Sequence, residues 1–469
     1  MSVEMMPPLM FGGLILFLLL GFPAAFSLCA LGLFFGFLAI ELGFFTEAFL
    51  WNLPLRVFGI LSNDLLLAIP FFTLMGAILE RCGLAEDLLE GTGQIFGKIP
   101  GGLAYAVIIV GAVLGAITGT VAASVIAMGM ISLPVMMRYG YDMRIATGVI
   151  AASGTITQVI PPSLVLIVLG DQMGVSVGDM YAGAIGPSFL QILLFILFIL
   201  AVSIIAPHKV PPLPPEALAP RSWQLYWRVA RGMVPSIVLI FLVLGTIFLG
   251  LATPTEAGAM GAIGAIVLAW INGRFSWRLL REAMGNTMRI TAMVIFILIG
   301  ATVFSLVFQG VDGGHWIEHL LSHLPGGQTG FLIFVNVFVF LLAFFLDFFE
   351  IAFIVVPLLA PVAAKLDINL VWFGVLLCIN LQTSFMHPPF GFALFYLRGI
   401  APREVLTKDI YLGAIPWLCL QLLLVAIVIA WPESVTYWLS SGPQIDPASV
   451  RIDLPPPPPI PEDAVPIFR

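Results

Sequence analysis

Apolar residues run along this chain in stretches too long for a strand. PSFLQILLFILFILAVSIIA (Pro187 to Ala206) and PSIVLIFLVLGTIFLGLA (Pro235 to Ala252) carry almost no polar side chain, and such runs recur throughout. Each approaches the roughly 20 residues that a helix needs to cross a bilayer. The pattern predicts an all-α polytopic membrane protein. Polar residues interrupt it at a few places, two of which are alike. SGTITQVIPPSLVLIVLG (Ser153 to Gly170) and NLQTSFMHPPFGFALFYLRG (Asn380 to Gly399) each set polar side chains just before an adjacent proline pair.

Composition agrees with the pattern. Of 469 residues, 60% are hydrophobic and 10% charged, against about 25% charged in a soluble domain; the mean hydropathy is +1.10. A net charge of −7 is small for this length and gives no reason to expect a nucleic-acid partner. The opening MSVEMMPPLM has no basic residue, which argues against a cleaved secretory signal. Cys29, Cys82, Cys378 and Cys419 lie far apart in or beside apolar runs. They read as small packing hydrophobes without metal spacing.

Charge sets an orientation. Basic residues gather at Lys98, at Arg138 and Arg144, between Lys209 and Arg231, between Arg274 and Arg289, and between Arg398 and Lys408. The connections DQMGVSVGD (Asp171 to Asp179) and VDGGHWIEHLLSHLPGG (Val311 to Gly327) have none. The positive-inside rule makes the first set cytoplasmic and the second external. The chain between Lys98 and Arg138 must then enter and return on one side, and that between Gly327 and Asp367 on the other. Each fits a re-entrant hairpin or a helical pair.

The halves also resemble each other. MYAGAIGPSFLQILL (Met180 to Leu194) aligns with IYLGAIPWLCLQLLL (Ile410 to Leu424), Pro161-Pro162 with Pro388-Pro389, and Pro134 with Pro357. The charge map runs the matched segments in opposite directions, which is the inverted-repeat plan of many secondary transporters. The expected organisation is a first repeat at 1–206, with a hairpin near 100–137 and an interrupted helix near 143–169. A proline-rich basic linker follows at 207–232. A second repeat at 233–431 has its hairpin near 328–365 and its interrupted helix near 369–397, and a proline-rich mobile tail occupies 432–469.

Paired prolines break a helix because they lack N–H groups and clash with the preceding turn. In lipid the freed carbonyls must be satisfied internally or line a polar cavity. Beside the first break stand Ser153, Gly154, Thr155, Thr157 and Gln158; beside the second stand Asn380, Gln382, Thr383 and Ser384. Carbonyls and hydroxyls together form a hard oxygen environment suited to Na⁺, although serine and threonine can equally bond back to their own helix. In GAVLGAITGTVAASVIAMG (Gly111 to Gly129), Thr118-Gly119-Thr120 marks a hairpin tip whose amides can bind a carboxylate and whose hydroxyls can bind an ion. Asp347 and Glu350, three apart in the second hairpin, either meet an ion directly or cap the hairpin. The Na⁺ candidates are thus Thr118, Gly119, Thr120, Ser153, Gly154, Thr155, Thr157, Asp347, Glu350, Asn380, Thr383 and Ser384. The substrate candidates are Thr120, Ser124, Gln158, Gln382 and His387. His315, His319 and His323, with Glu318, have helical zinc spacing but read better as a surface helix on the external interface.

PFFTLMGAILERCGLAEDLLE (Pro70 to Glu90), KIPGGLAYA leading into the T-G-T tip, TPTEAGAMGA (Thr253 to Ala262), the Asp347 hairpin and NLQTSFMHPPFGFALFYLRGIAP (Asn380 to Pro402) resemble, in that order, the large membrane subunit of the tripartite ATP-independent periplasmic (TRAP) transporters. They are most similar to the branch associated with 2-oxo acids, polyols and chloroaromatic acids. That tip more often reads S-G-S in the family, so T-G-T is a conservative departure, and the proline-rich tail lies outside the pattern. The resemblance implies a non-enzymatic, Na⁺-coupled, elevator-type importer of small organic acids in the bacterial inner membrane. It implies no cofactor beyond Na⁺ as coupling ion, and two partners: a small four-helix membrane subunit (Q type) and a periplasmic substrate-binding protein. The chain has no G-x-x-x-x-G-K-[ST] sequence, in keeping with ion coupling. The alternatives are an intramembrane enzyme using Asp347, Glu350 or His387, which no H-E-x-x-H or G-x-S-x-G sequence supports, and an ion channel.

Overall fold

The computed structural model describes residues 3–218, 223–322 and 324–439, and every regular element among them is helical. The helices of nine or more residues are numbered here in chain order. The first half contains α1 (Met6–Leu19), α2 (Ala24–Glu41), α3 (Leu53–Leu61), α4 (Ala68–Arg81), α5 (Leu84–Phe96), α6 (Gly102–Thr118), α7 (Val121–Arg138), α8 (Met143–Thr155), α9 (Leu164–Met173) and α10 (Val177–Ile205). The second contains α11 (Trp223–Phe248), α12 (Pro254–Ile271), α13 (Trp277–Gly310), α14 (Gly313–Ser322), α15 (Gly327–Leu342), α16 (Phe348–Lys365), α17 (Leu370–Leu381), α18 (Phe392–Ile400) and α19 (Thr407–Ala430). Seven of these (α2, α7, α10, α12, α13, α16 and α19) are long and apolar enough to cross a membrane. The stretch Glu47–Leu61 joined to α4 across a 47° bend makes an eighth candidate. Large apolar side chains face outward along them, such as Phe189 at 69% and Ile204 at 73% exposure on α10. Water would penalise such a surface and lipid does not.

Hydrogen bonds gather the connections at two ends. At one end the amide of Asp142 donates to the Lys209 carbonyl, that of Gly101 to Val210, and that of Leu213 to Gly97. Arg144 pairs there with Asp409 at 3.1 Å, and Arg81 with Glu282 at 2.5 Å. At the other end Asn63 Nδ2 donates to Asp171 at 2.7 Å, Thr255 to the Asp64 carbonyl at 2.6 Å, and Gln328 to the Leu366 carbonyl at 2.7 Å, while Lys365 pairs with Glu318. Of these ion-paired basic residues, Arg81 and Arg144 lie at the first end and Lys365 at the second. The linker is no loose tether. From Ala206 to Ala217 it is strapped across the first end, where Ser203 Oγ also donates to the Pro100 carbonyl at 3.0 Å and Gln94 Nε2 to the Ala217 carbonyl at 3.2 Å. Residues 219–222, His323 and, of the expected tail at 432–469, the part from residue 440 lie outside the described residues; 432–439 are described, with a helical turn at Glu433–Thr436 in which Ser434 and Val435 are buried.

The order α6–α7–α8–break–α9–α10 recurs as α15–α16–α17–break–α18–α19. Local chemistry sets each start and stop. Gly119 at φ +61° ends α6 in a left-handed cap, the conformation that glycine adopts without penalty. Asp142, Ser163, Ser176 and Asn369 cap α8, α9, α10 and α17 through their side-chain oxygens. Where α8 and α17 end, each tightens into a 3-10 turn, Ile156–Gln158 and Gln382–Phe385, before its proline pair. The last long helices cross between the halves. α19 runs beside α8, where a Cβ added at Gly148 would lie 2.3 Å from the Gly413 carbonyl oxygen, and α10 runs beside α17, where one added at Gly183 would lie 3.2 Å from the side-chain Cγ1 of Val371. Backbones approach this closely only where glycine leaves room.

Candidate functional site at the two helix breaks

The first break lies against the first helical pair. A Cβ at Gly111 would sit 2.7 Å from Ser153 Cβ, one at Gly115 would sit 2.9 Å from Thr157 Cα, and one at Gly154 would sit 2.2 Å from Val125 Cγ2. Both arms, α6 and α7, therefore grip the segment Ser153–Thr157. Their connection reaches the start of α9, where a Gly119 Cβ would lie 3.9 Å from Leu164 Cγ. Ser153, Thr155, Thr157 and Gln158 are all buried here. Thr155 Oγ1 donates to the Ala152 carbonyl at 2.8 Å, and Ser163 Oγ donates to the Gln158 carbonyl. Ser153 Oγ, Thr157 Oγ1 and Gln158 Oε1 find no hydrogen-bond partner among the described residues. Burying an unsatisfied hydroxyl or amide oxygen costs about 1–3 kcal/mol. Neutral hard oxygens left in this state suit a hard monovalent cation such as Na⁺.

The second break is fastened more fully. Thr383 Oγ1 donates to the Asn380 carbonyl and Ser384 Oγ to the Leu381 carbonyl, each at 2.7 Å. These are the back-bonds open to such residues, and they leave the hydroxyl lone pairs available. Asn380 Nδ2 donates to the Asn336 carbonyl of α15 at 2.8 Å, while Asn380 Oδ1 has no partner among the described residues. Gln382 is tied to Gln191 by two hydrogen bonds between their side-chain amides. His387 packs between Phe340 and Phe344, with ring centroids 4.4 and 4.0 Å away. The α15–α16 connection therefore sits on the second break as Gly119 sits near the first.

Of the two readings open for Asp347 and Glu350, the hydrogen bonds realise the cap. Asp347 Oδ1 accepts from the Glu350 amide at 2.8 Å and Glu350 Oε2 from the Asp347 amide at 3.1 Å, a capping box at the start of α16. Thr120 precedes α7 with no side-chain cap, and Gly391 precedes α18 likewise. α7 and α18 pack together, a Gly129 Cβ lying 3.1 Å from Leu397. Both run toward the first end, where Asp142 and Asp409 follow them. Two uncapped helix starts thus share a direction, and such starts attract anions. The matched pair α9 and α16 begins with capping oxygens from Ser163, Asp347 and Glu350.

Ser124 is buried on α7, and Thr120 is half-buried at its start. The Thr118 side chain lies outside the described residues. The described part of the histidine series is α14, and no cluster of three metal-ligating side chains occurs among the described residues. Sequence reasoning missed Gly111, Gly115, Asn336, Gln191 and Gln421. The two glutamines had a visible signal, since they recur at matched positions in SFLQILL and LCLQLLL.

A family model described as "Tripartite ATP-independent periplasmic transporter, DctM component" matches residues 11–434. The C4-dicarboxylate TRAP transporter large permease protein DctM of Pseudomonas aeruginosa is 29% identical over 81% of this chain and 87% of that protein. The isethionate TRAP transporter permease protein DctMQ of Oleidesulfovibrio alaskensis is 27% identical over 85% of this chain and 61% of its own length. The crystal structure of the Alcanivorax borkumensis YdaH transporter shares the fold at a TM-score of 0.58 and 16% identity, covering 81% of this chain and 88% of that one. These relatives are permeases, and the reading of Asp347, Glu350 and His387 as an intramembrane enzyme's residues falls away.

Proposed function

Because this chain belongs to the tripartite ATP-independent periplasmic transporter family as its DctM component, we propose that it is the Na⁺-coupled permease subunit of an importer of small organic acids in a bacterial inner membrane. It works with a small membrane subunit and a periplasmic binding protein; the DctMQ relative, whose length this chain covers to 61%, supports the first partner. One observation carries the reading: buried oxygens of Ser153, Thr157 and Gln158, without a hydrogen-bond partner among the described residues, lie at the end of α8 and in the 3-10 turn that follows it, gripped by α6 and α7. Na⁺ bound among them, and among Asn380, Thr383 and Ser384, offsets the exposed carbonyl dipoles. The uncapped starts of α7 and α18 then receive the substrate carboxylate. C4-dicarboxylate and isethionate, named for the relatives, are both small anions of the kind such a site takes.

The halves are proposed to be inverted repeats, with α6–α7 and α15–α16 as re-entrant hairpins that move together with the interrupted helices as an elevator. A cation changes the conformational balance only through its different affinity for the two states, so an ion that orders the breaks favours the substrate-binding state. Proteoliposomes holding this chain and its small subunit, with binding protein and labelled C4-dicarboxylate outside, test the proposal. Uptake is expected under an inward Na⁺ gradient and not under an equal K⁺ gradient. Uptake equal in both would refute sodium coupling, and sustained uptake by this chain alone would refute the tripartite requirement.

A further inference from the structure

Two glutamines that belong to neither break hold both of them. Gln191 on α10 and Gln421 on α19 stand at matched positions in the aligned segments, and both are fully buried. Gln191 Nε2 donates to Gln382 Oε1 at 2.7 Å and Gln382 Nε2 returns a bond at 3.2 Å. Gln421 Nε2 donates to Thr155 Oγ1 at 2.9 Å. The receiving residues are matched as well, each lying six residues before the first proline of its break. The relation is reciprocal. The last helix of the first half fastens the 3-10 turn of the second, and the last helix of the second half fastens the end of α8 in the first.

Leucine or isoleucine surrounds both positions and would fill the space without carrying a polar group into the protein interior, so the amides serve the breaks rather than the packing. Thr155 shows how. Its single hydroxyl proton goes to the Ala152 carbonyl and Gln421 occupies one lone pair, which fixes the turn from which Ser153 and Thr157 project. Gln421 Oε1 has no partner among the described residues, whereas the Gln191–Gln382 amide pair is closed on itself.

We propose that Gln191 and Gln421 are positioning residues that hold each unwound segment in its ion-binding shape from the opposite half, coupling the two breaks. This rests on the sodium reading above. The full chain, purified with its small subunit, is melted at increasing NaCl with choline chloride holding ionic strength constant. The readout is the Na⁺ concentration for half-maximal thermal stabilisation. Losing one positioning hydrogen bond corresponds to a shift of about tenfold. Gln421→Leu, which removes one such bond, is expected to raise that concentration by about this factor, and Gln191→Leu, which removes two, by at least as much. Thr155→Val deletes the same bond from its other side, and with it the bond to the Ala152 carbonyl, so it is expected to shift the concentration at least as far as Gln421→Leu, the double variant being no worse than Thr155→Val alone; Gln421→Met and Gln191→Met, which keep the length of the side chain without its amide, carry the test if the leucine variants do not fold. Unchanged half-maximal concentrations in folded variants would overturn the proposal and leave the glutamines as packing. A wild type with no Na⁺-specific shift would instead overturn the sodium reading, and the brace with it.

Discussion

Replacing Thr157 by valine should stabilise the protein where a conventional loss of polarity would weaken it. Thr157 is fully buried in the 3-10 turn of the first break, and its Oγ1 has no partner among the described residues. Valine keeps the β-branched shape and its stiff χ1 while removing an oxygen whose unsatisfied burial costs about 1–3 kcal/mol. In sodium-free buffer Thr157→Val should therefore melt higher than wild type by about 1–2 kcal/mol of stability, a few degrees. With Na⁺ the order changes. At a hundred times its dissociation constant a ligand adds about 2.7 kcal/mol to the native state, and the variant forfeits most of that. Melting curves in NaCl and in choline chloride should therefore cross, with the variant ahead in choline and level or behind in sodium. A variant that melts lower in choline would show that the hydroxyl already has a protein partner. One that keeps the wild-type sodium response would show that Thr157 is no ligand.

Gly115→Ala places a Cβ 2.9 Å from the Thr157 backbone, which has no freedom to yield. It should destabilise by about 1–3 kcal/mol, as overpacking does, and should abolish sodium-dependent uptake; normal melting and uptake would mean that α6 does not grip the break. Ser384→Ala should raise the Na⁺ concentration for half-maximal uptake without unfolding the chain, and an unchanged sodium dependence would leave the second break as a packing kink. Single cysteines in a Cys-free background should label from the cytoplasmic side at Arg274 and from outside at Gly313; external labelling at Arg274 would contradict the inverted topology.

Much of this arrangement is legible in the sequence, and the part that is not has a physical reason. Proline pairs announce their breaks because a missing N–H is written in the residue itself, and T-G-T at 118–120 announces the end of α6 through Gly119. The strap from Ala206 to Ala217 was invisible because most of its bonds, such as Leu213 to Gly97, join backbone groups that every residue carries. The choice between ligand and cap for Asp347 and Glu350 depended on whether the carboxylates turn inward to the helix start or outward, which spacing leaves open. The glutamine braces needed two long helices to cross between halves. The matched Gln191 and Gln421 showed that something was shared, but not what each one touches.

Sodium bound at both breaks is the centre of the account, and equilibrium binding of radioactive sodium to the purified chain with its small subunit tests it most directly. Two saturable sites per chain are expected, one weakened in Thr157→Val and the other in Ser384→Ala, with substrate binding weakened in both by linkage. Absence of saturable sodium binding to the folded wild type, or full binding retained in both variants, would contradict it.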